Sequence, residues 1–235
     1  MFQAIGWQHL SLILRGAVVT VQICVLSVLF GGLLGLFIGL MAAGTVRTLR
    51  WISAVYVAVI RGVPVLLIIF FVYFGIPLLV PGSSLAEYWA AVIALSIFAS
   101  AYVAELVRGS IQALPRGQIE AAEALGLSYV DRMRWVILPQ AARVIVPPGV
   151  GFLVVLIKDS SLVAVIGLIE LTRAANIVSS QTADPILAYT LVGAFYFAIC
   201  YVLSALSRRY ERRLGRKMPA PTVGDALTTS IGAKK

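Results

Sequence analysis

Five stretches of this 235-residue chain carry no Asp, Glu, Lys or Arg: residues 16–46, 62–86, 88–104, 144–157 and 185–207. A helix needs about 20 apolar residues to cross the ~30 Å hydrocarbon core of a bilayer. Three of the runs are long enough alone. The third and fourth reach spanning length only by taking in ionisable neighbours, Glu105 in one case and Lys158 with Asp159 in the other. At 60% hydrophobic and 12% charged residues, against roughly 25% charged in an average soluble domain, the composition fits no soluble fold. The chain therefore reads as an all-α integral membrane protein of five transmembrane helices, over about 12–42, 52–80, 87–108, 139–160 and 185–207. The first run is too long for a secretory signal and only Arg15 precedes it, so it is expected to stay in the mature protein.

Most of the 19 basic residues lie at span ends. Arg47 and Arg50 follow the first span. Arg108, Arg116, Arg132, Arg134 and Arg143 lie between the third and fourth, and a further group from Arg208 to Lys235 follows the fifth. The loop between the second and third has none. The positive-inside rule then puts the N-terminus outside and the C-terminus in the cytoplasm. The net charge of +9 is accordingly a topology signal; membrane lipid is an expected partner and nucleic acid is not. Cys24 and Cys200 sit in apolar spans and read as small hydrophobes. With one histidine, no Cys/His cluster and no GxxxxGK[ST], no metal, no cofactor and no nucleotide hydrolysis by this chain are expected. Residues 218–235 read as a disordered cytoplasmic tail after a transmembrane domain of residues 1–217.

One polar segment interrupts the apolar runs, GQIEAAEALGLSYVDRMRWVILPQ at residues 117–140. Pro115 is placed to open a short helix that Gly126 ends, because glycine takes the left-handed conformation that closes helices. Ser128 and Asp131 form an S-x-x-D cap for a second helix through Val136, and Pro139 opens the next span. Two readings fit such a knuckle: an amphipathic hairpin lying at the membrane surface, or a docking element for a cytoplasmic partner, with Ala121 and Ala122 as its flat side.

The spacing of Glu120, Ala121, Ala122, Gly126, Val136, Leu138 and Pro139 resembles the EAA-x3-G-x9-I-x-LP signature of the membrane subunits of ABC importers. RGVP at residues 61–64 resembles the RGTP of the polar amino acid branch. AYVAELVRG at 101–109 is similar to its third span, and KDSSL at 158–162 with IELTRAAN at 169–176 to its fourth. Val63 replaces the usual threonine, and GVGFL at 149–153 lacks an asparagine found in relatives. The resemblance implies a five-helix permease of the type I importer fold in a bacterial inner membrane, paired with a second copy or a similar permease. It also implies two ATP-binding subunits docked through the 115–139 loop, an extracytoplasmic amino acid-binding protein, and a polar amino acid as substrate. Under it Glu120, Ala121, Ala122, Gly126, Leu138 and Pro139 are the docking residues, and the permease itself is not an enzyme. The competing class, a stand-alone secondary transporter, predicts inverted repeats with paired broken helices, and the sequence offers one set of spans.

Substrate candidates follow from depth. Eleven residues separate Arg50 from Arg61, about 16 Å of helix, so Arg61 lies near mid-membrane beside a turn that Pro64 and Gly62 weaken. Sixteen residues, about 24 Å, separate Arg143 from Asp159. Arg61 for a substrate carboxylate, and Asp159 with Ser160 and Ser161 for its ammonium group, suit a zwitterion. The alternative is a static pair of Arg61 or Lys158 with Asp159. Ser100 and Tyr102 point deeper in the third span and complete the candidate set. Glu105 and Arg108, one turn apart, are expected to form a structural ion pair. Gly31, Gly35 and Gly39 make a smooth stripe for helix packing.

Overall fold

The computed structural model describes residues 6–80 and 84–215, and every regular element among them is helical. The order is α1 (Trp7–Ala43), α2 (Arg47–Gly62), α3 (Val65–Phe70), a π turn (Phe71–Gly75), α4 (Ile76–Leu79) and α5 (Glu87–Gln112). There follow α6 (Arg116–Ala124), α7 (Tyr129–Asp131), a second π turn (Arg132–Ile137), α8 (Leu138–Asp159), a 3-10 turn (Ser160–Ile166), α9 (Leu171–Thr182) and α10 (Pro185–Gly215). Trp7–Ala43, Glu87–Gln112, Tyr129–Ile166 and Pro185–Tyr210 are long and apolar enough to cross a membrane, and the bent pair Arg47–Gly62 with Val65–Leu79 is a fifth candidate. The tail expected to be disordered lies outside the described residues.

The glycine stripe joins α1 to α5. A Cβ on Gly31 would lie 2.5 Å from the carbonyl oxygen of Ser96, and on Gly39 2.6 Å from Cβ of Val107. Without side chains at these positions the two backbones touch, which is how helices associate where lipid is as apolar as the protein. Ser27 adds a hydrogen bond to the carbonyl of Val92, 3.3 Å away. The main core lies on the other faces of α5, where Leu95, Phe98 and Ala99 meet Ile69, Phe152, Leu156 and Val163. Large apolar side chains on α10, such as Ile186 and Phe197, remain exposed on the outside of the bundle.

The stretch expected as one span over 52–80 is two pieces set at 100°. Proline disfavours the helical conformation at the residue before it, and Val63 is accordingly extended (φ −100°, ψ 132°). Pro64, with no N–H to give to the preceding helix, instead caps α3 by accepting from the N–H of Leu67 at 2.9 Å.

At Pro139 the chain solves the same problem differently. The π turn Arg132–Ile137 precedes it, so the ring is accommodated and the helix runs on from the knuckle into α8. The motif IELTRAAN does not continue the fourth span. The chain reverses at Gly167, whose φ of 96° is left-handed, and α9 begins after Glu170.

Candidate functional site

Two regions carry polar chemistry. The first is built on α2, α5 and α8. The bend after Gly62 leaves Arg61 exposed, with its guanidinium carbon 5.0 Å from the ring centroid of Tyr102 on α5. Tyr102 stacks on Phe152 of α8 (5.0 Å, 18° between planes), and Phe98 packs against both rings. Asp159 lies seven residues beyond Phe152, two helical turns or about 10 Å, on the same face of α8. It is half-buried. Neither Arg61 nor Asp159 has an ion-pair partner among the described residues, so the static pair of Arg61 or Lys158 with Asp159 does not form.

Arg61 also lines a cleft of about 470 Å³ with Arg50, Ser53, Glu105, Arg108 and Gln112. Within it Glu105 is committed to Arg108, whose Nε donates to its carboxylate at 3.0 Å while a second guanidinium nitrogen pairs with the other oxygen. That is the structural pair the spacing predicts.

The hydroxyl candidates are placed differently. Ser100 is fully buried between α5 and α2; it donates to the carbonyl of Ile97 (2.7 Å) and meets the hydroxyl of Tyr56 at 2.6 Å. Ser160 is also fully buried, its hydroxyl spent on the carbonyl of Ile157 at 2.7 Å. Ser161, half-buried, remains beside Asp159.

The second region is the knuckle. Pro115 precedes α6 and accepts from the N–H of Gln118 at 3.0 Å. At the other end Leu127 N–H donates to Ala122 (3.2 Å) and Gly126 N–H to Glu123 (2.9 Å), the paired bonds of a helix end closed by a left-handed residue. Gly126 has φ 73°. Ser128 then caps α7, accepting from the N–H of Asp131 at 3.2 Å. Arg132 pairs with Glu123 across the turn, and Gln140 Nε2 donates to Gln118 Oε1 at 3.2 Å, so α6 is tied at its end to the π turn and near its start to α8. Glu120, Ala121 and Pro139 face outward and Leu138 is half-buried. Ala122, read from sequence as part of the flat outer side, is buried, as are Ile137 and Ala141 of the helix that continues into α8. The outward apolar surface includes Leu125 (79% exposed) and Val130 (69%), on either side of the turn, and Trp135 (65%).

Sequence reasoning did not single out Glu170. Its carboxylate is fully buried, caps α9 through the N–H groups of Thr172 and Arg173 (both 2.8 Å), and accepts from the hydroxyl of Tyr196 at 2.9 Å. The available signal was a carboxylate three residues after a turn-forming glycine, at the start of the helix Leu171–Thr182.

A bundle of helices long and apolar enough to cross a membrane, with a capped polar knuckle between two of them, is the architecture of a multi-pass membrane protein. The chain belongs to the family of binding-protein-dependent transport system inner membrane components, whose profile matches residues 35–216. It is 38% identical over 206 residues to the arginine transport system permease protein ArtQ of Bacillus subtilis (strain 168), covering 88% of this chain and 94% of that one. It is likewise 38% identical over 213 residues to the glutamine transport system permease protein GlnP of Escherichia coli (strain K12), covering 88% and 95%. Among solved structures, an amino acid ABC transporter crystallised with histidines is similar at 36% identity and a TM-score of 0.82, over 90% of this chain and all of that one. The MetNI methionine ABC transporter in an inward-facing form shares the fold at 21% identity and a TM-score of 0.78, over 89% and 99%. The chain is thus a permease subunit of a binding-protein-dependent transporter, which excludes the stand-alone alternative.

Proposed function

We propose that this permease passes a polar amino acid across a bacterial inner membrane, with Arg61 meeting the substrate carboxylate and Asp159 its ammonium group. What supports the reading is that Arg61 lies over Tyr102, which stacks on Phe152 of α8, the helix that ends two turns later in Asp159, with no ion-pair partner for either charge among the described residues. Unpaired charges inside a bilayer are costly, and lining a substrate path is their commonest use. Tyr102 presents its face to the guanidinium, which holds the cation without neutralising it. Ser161 serves the ammonium end; Ser100 and Ser160, buried and already bonded, fix helices instead. Relatives named for arginine and glutamine support the substrate class.

The assembly in this reading pairs the chain with a second permease, two ATP-binding subunits and an extracytoplasmic binding protein. The N-terminus lies outside and five crossings bring the C-terminus to the cytoplasm. ATP hydrolysis belongs to the partner, docked against Glu120, Ala121, Leu125 and Val130 on the knuckle, while Gly126 gives the turn its shape and Leu138 and Pro139 join it to α8.

The test is uptake of radiolabelled arginine, glutamine and histidine by the reconstituted complex. Asp159→Asn is expected to abolish uptake while assembled complex and basal ATP hydrolysis persist. Arg61→Gln with Asp159→Asn stays folded and inactive; recovery of transport in that double variant sinks the site.

A further inference from the structure

Glu170 is an ionisable side chain with no exposed surface, and no Lys, Arg or His forms an ion pair with it among the described residues. Its carboxyl group is held by hydrogen-bonding dipoles. One carboxylate oxygen takes the N–H of Arg173 at 2.8 Å; the other takes the N–H of Thr172 at 2.8 Å and the hydroxyl of Tyr196 at 2.9 Å. Tyr196 reaches Thr172 too, at 3.0 Å, and Thr20 accepts from the N–H of Leu171 at 3.2 Å. Gly16 lets α1 lie against this turn, since a Cβ there would come within 2.9 Å of the Glu170 carbonyl oxygen. Three helices, α1, α9 and α10, therefore meet around Glu170, α9 and α10 at its carboxylate and α1 at its backbone and that of Leu171.

What that carboxylate fixes is the far end of a short connection. Asp159 ends α8, the 3-10 turn Ser160–Ile166 follows directly, and Gly167 turns the chain into Glu170. The turn itself is well packed, with Val163 fully buried and its neighbours Ile166 and Ala164 nearly so. We propose that Glu170 is a positioning residue for transport: by capping α9 and fastening the end of the 3-10 turn to α10, it holds the Asp159 carboxylate at its place on the substrate path. The inference rests on the reading of Asp159 as a substrate contact.

The chemistry requires a carboxylate. Two backbone N–H groups and the Tyr196 hydroxyl converge as donors on both oxygens, and a carboxylate offers two accepting oxygens, whereas an amide offers one and would turn its own N–H bonds against a backbone donor. Glutamine of the same size and shape therefore fails at one oxygen. Aspartate keeps the charge and caps a helix well but is one methylene short of Tyr196.

The experiment measures uptake kinetics of the reconstituted complex, with radiolabelled arginine or glutamine as carried by the wild type. Alongside it, a thiol introduced by Val178→Cys is labelled with a membrane-impermeant maleimide. Val178 is fully buried on α9 beside Ile13 of α1, and Cys24 and Cys200 are buried, so the label reads whether α9 lifts. Glu170→Gln is expected to raise the apparent KM about tenfold, the equivalent of one hydrogen bond to a charged group, and to open the introduced thiol to the label. Glu170→Asp is expected to fall between the two. Should Glu170→Gln fail to assemble, Tyr196→Phe removes one donor without changing shape and is expected to raise KM severalfold. An unchanged KM per assembled complex overturns the positioning role, whether or not the introduced thiol becomes reactive or protein level falls, and so does wild-type KM in Tyr196→Phe. The Asp159→Asn result reports separately on the substrate reading.

Discussion

The α-carbon of Gly35 faces the carbonyl oxygen of Ser100 so closely that a Cβ would stand 2.5 Å from it. The obstacle is backbone, which cannot swing aside. Gly35→Ala is therefore expected to cost about 3 kcal/mol or more, the upper end of overpacking penalties, and to lower the melting temperature of the solubilised protein sharply. Gly32, three residues earlier, has nothing within 4 Å of the same added atom, so Gly32→Ala is the matched control and leaves the melting temperature nearly unchanged.

At Gly126 the constraint is conformational. No atom lies within 4 Å of an added Cβ, but φ is 73°. Gly126→Val is expected to cost about 1–2 kcal/mol locally and to reorient α6 against α7, whereas Gly126→Asn is tolerated. Pull-down of the ATP-binding partner and transport-coupled ATP hydrolysis check this, and full retention of both by the valine variant refutes docking through the knuckle.

Tyr102 separates ring from hydroxyl. Tyr102→Phe keeps the face under Arg61 and is expected to transport with near-normal apparent KM. Tyr102→Leu removes an attraction of about 0.5–2 kcal/mol, so KM rises roughly 2- to 30-fold. Equal kinetics in the two variants exclude the ring as part of the path.

The pair of Glu105 with Arg108 has side chains 34% and 35% exposed. Pairs so open to solvent contribute about 0–1 kcal/mol, and Glu105→Gln is expected to leave thermal stability within that range while KM stays unchanged. A large loss of transport reassigns Glu105 from structure to the substrate path.

Orientation is checked with reporters. One fused after residue 82 is expected to read as extracytoplasmic and one after residue 117 as cytoplasmic, since a single crossing and the arginine cluster separate them. The reverse at either point removes the five-crossing arrangement.

What the sequence made legible was local. The glycine stripe, the weak turn at Pro64, the left-handed Gly126 and the Ser128 cap each depend on residues within one or two turns, and each is found in place. The size of the bend after Gly62 was not legible, because Pro64 dictates that the helix breaks but the packing of α3 on α5 sets the angle. Ser100 looked available because its engagement is with Tyr56, 44 residues away. Ala122 looked outward because alanine is small on either face, and only the fold shows which side is covered. Glu170 escaped for the same reason as Ser100: its partner Tyr196 comes from another helix, 26 residues on.

The glycine stripe also bears on how the protein is made. Ser27 on α1 and Val92 on α5 are 65 residues apart, and ribosomes add about 5–20 residues per second. The first helix thus waits roughly 3–13 s in the bilayer before its mate is synthesised. During that interval its three closely spaced glycines have only lipid tails to touch. A misplaced second chain offering a similar groove competes for α1 most strongly then, so nascent-chain crosslinking at Gly35 is the place to watch biogenesis succeed or fail.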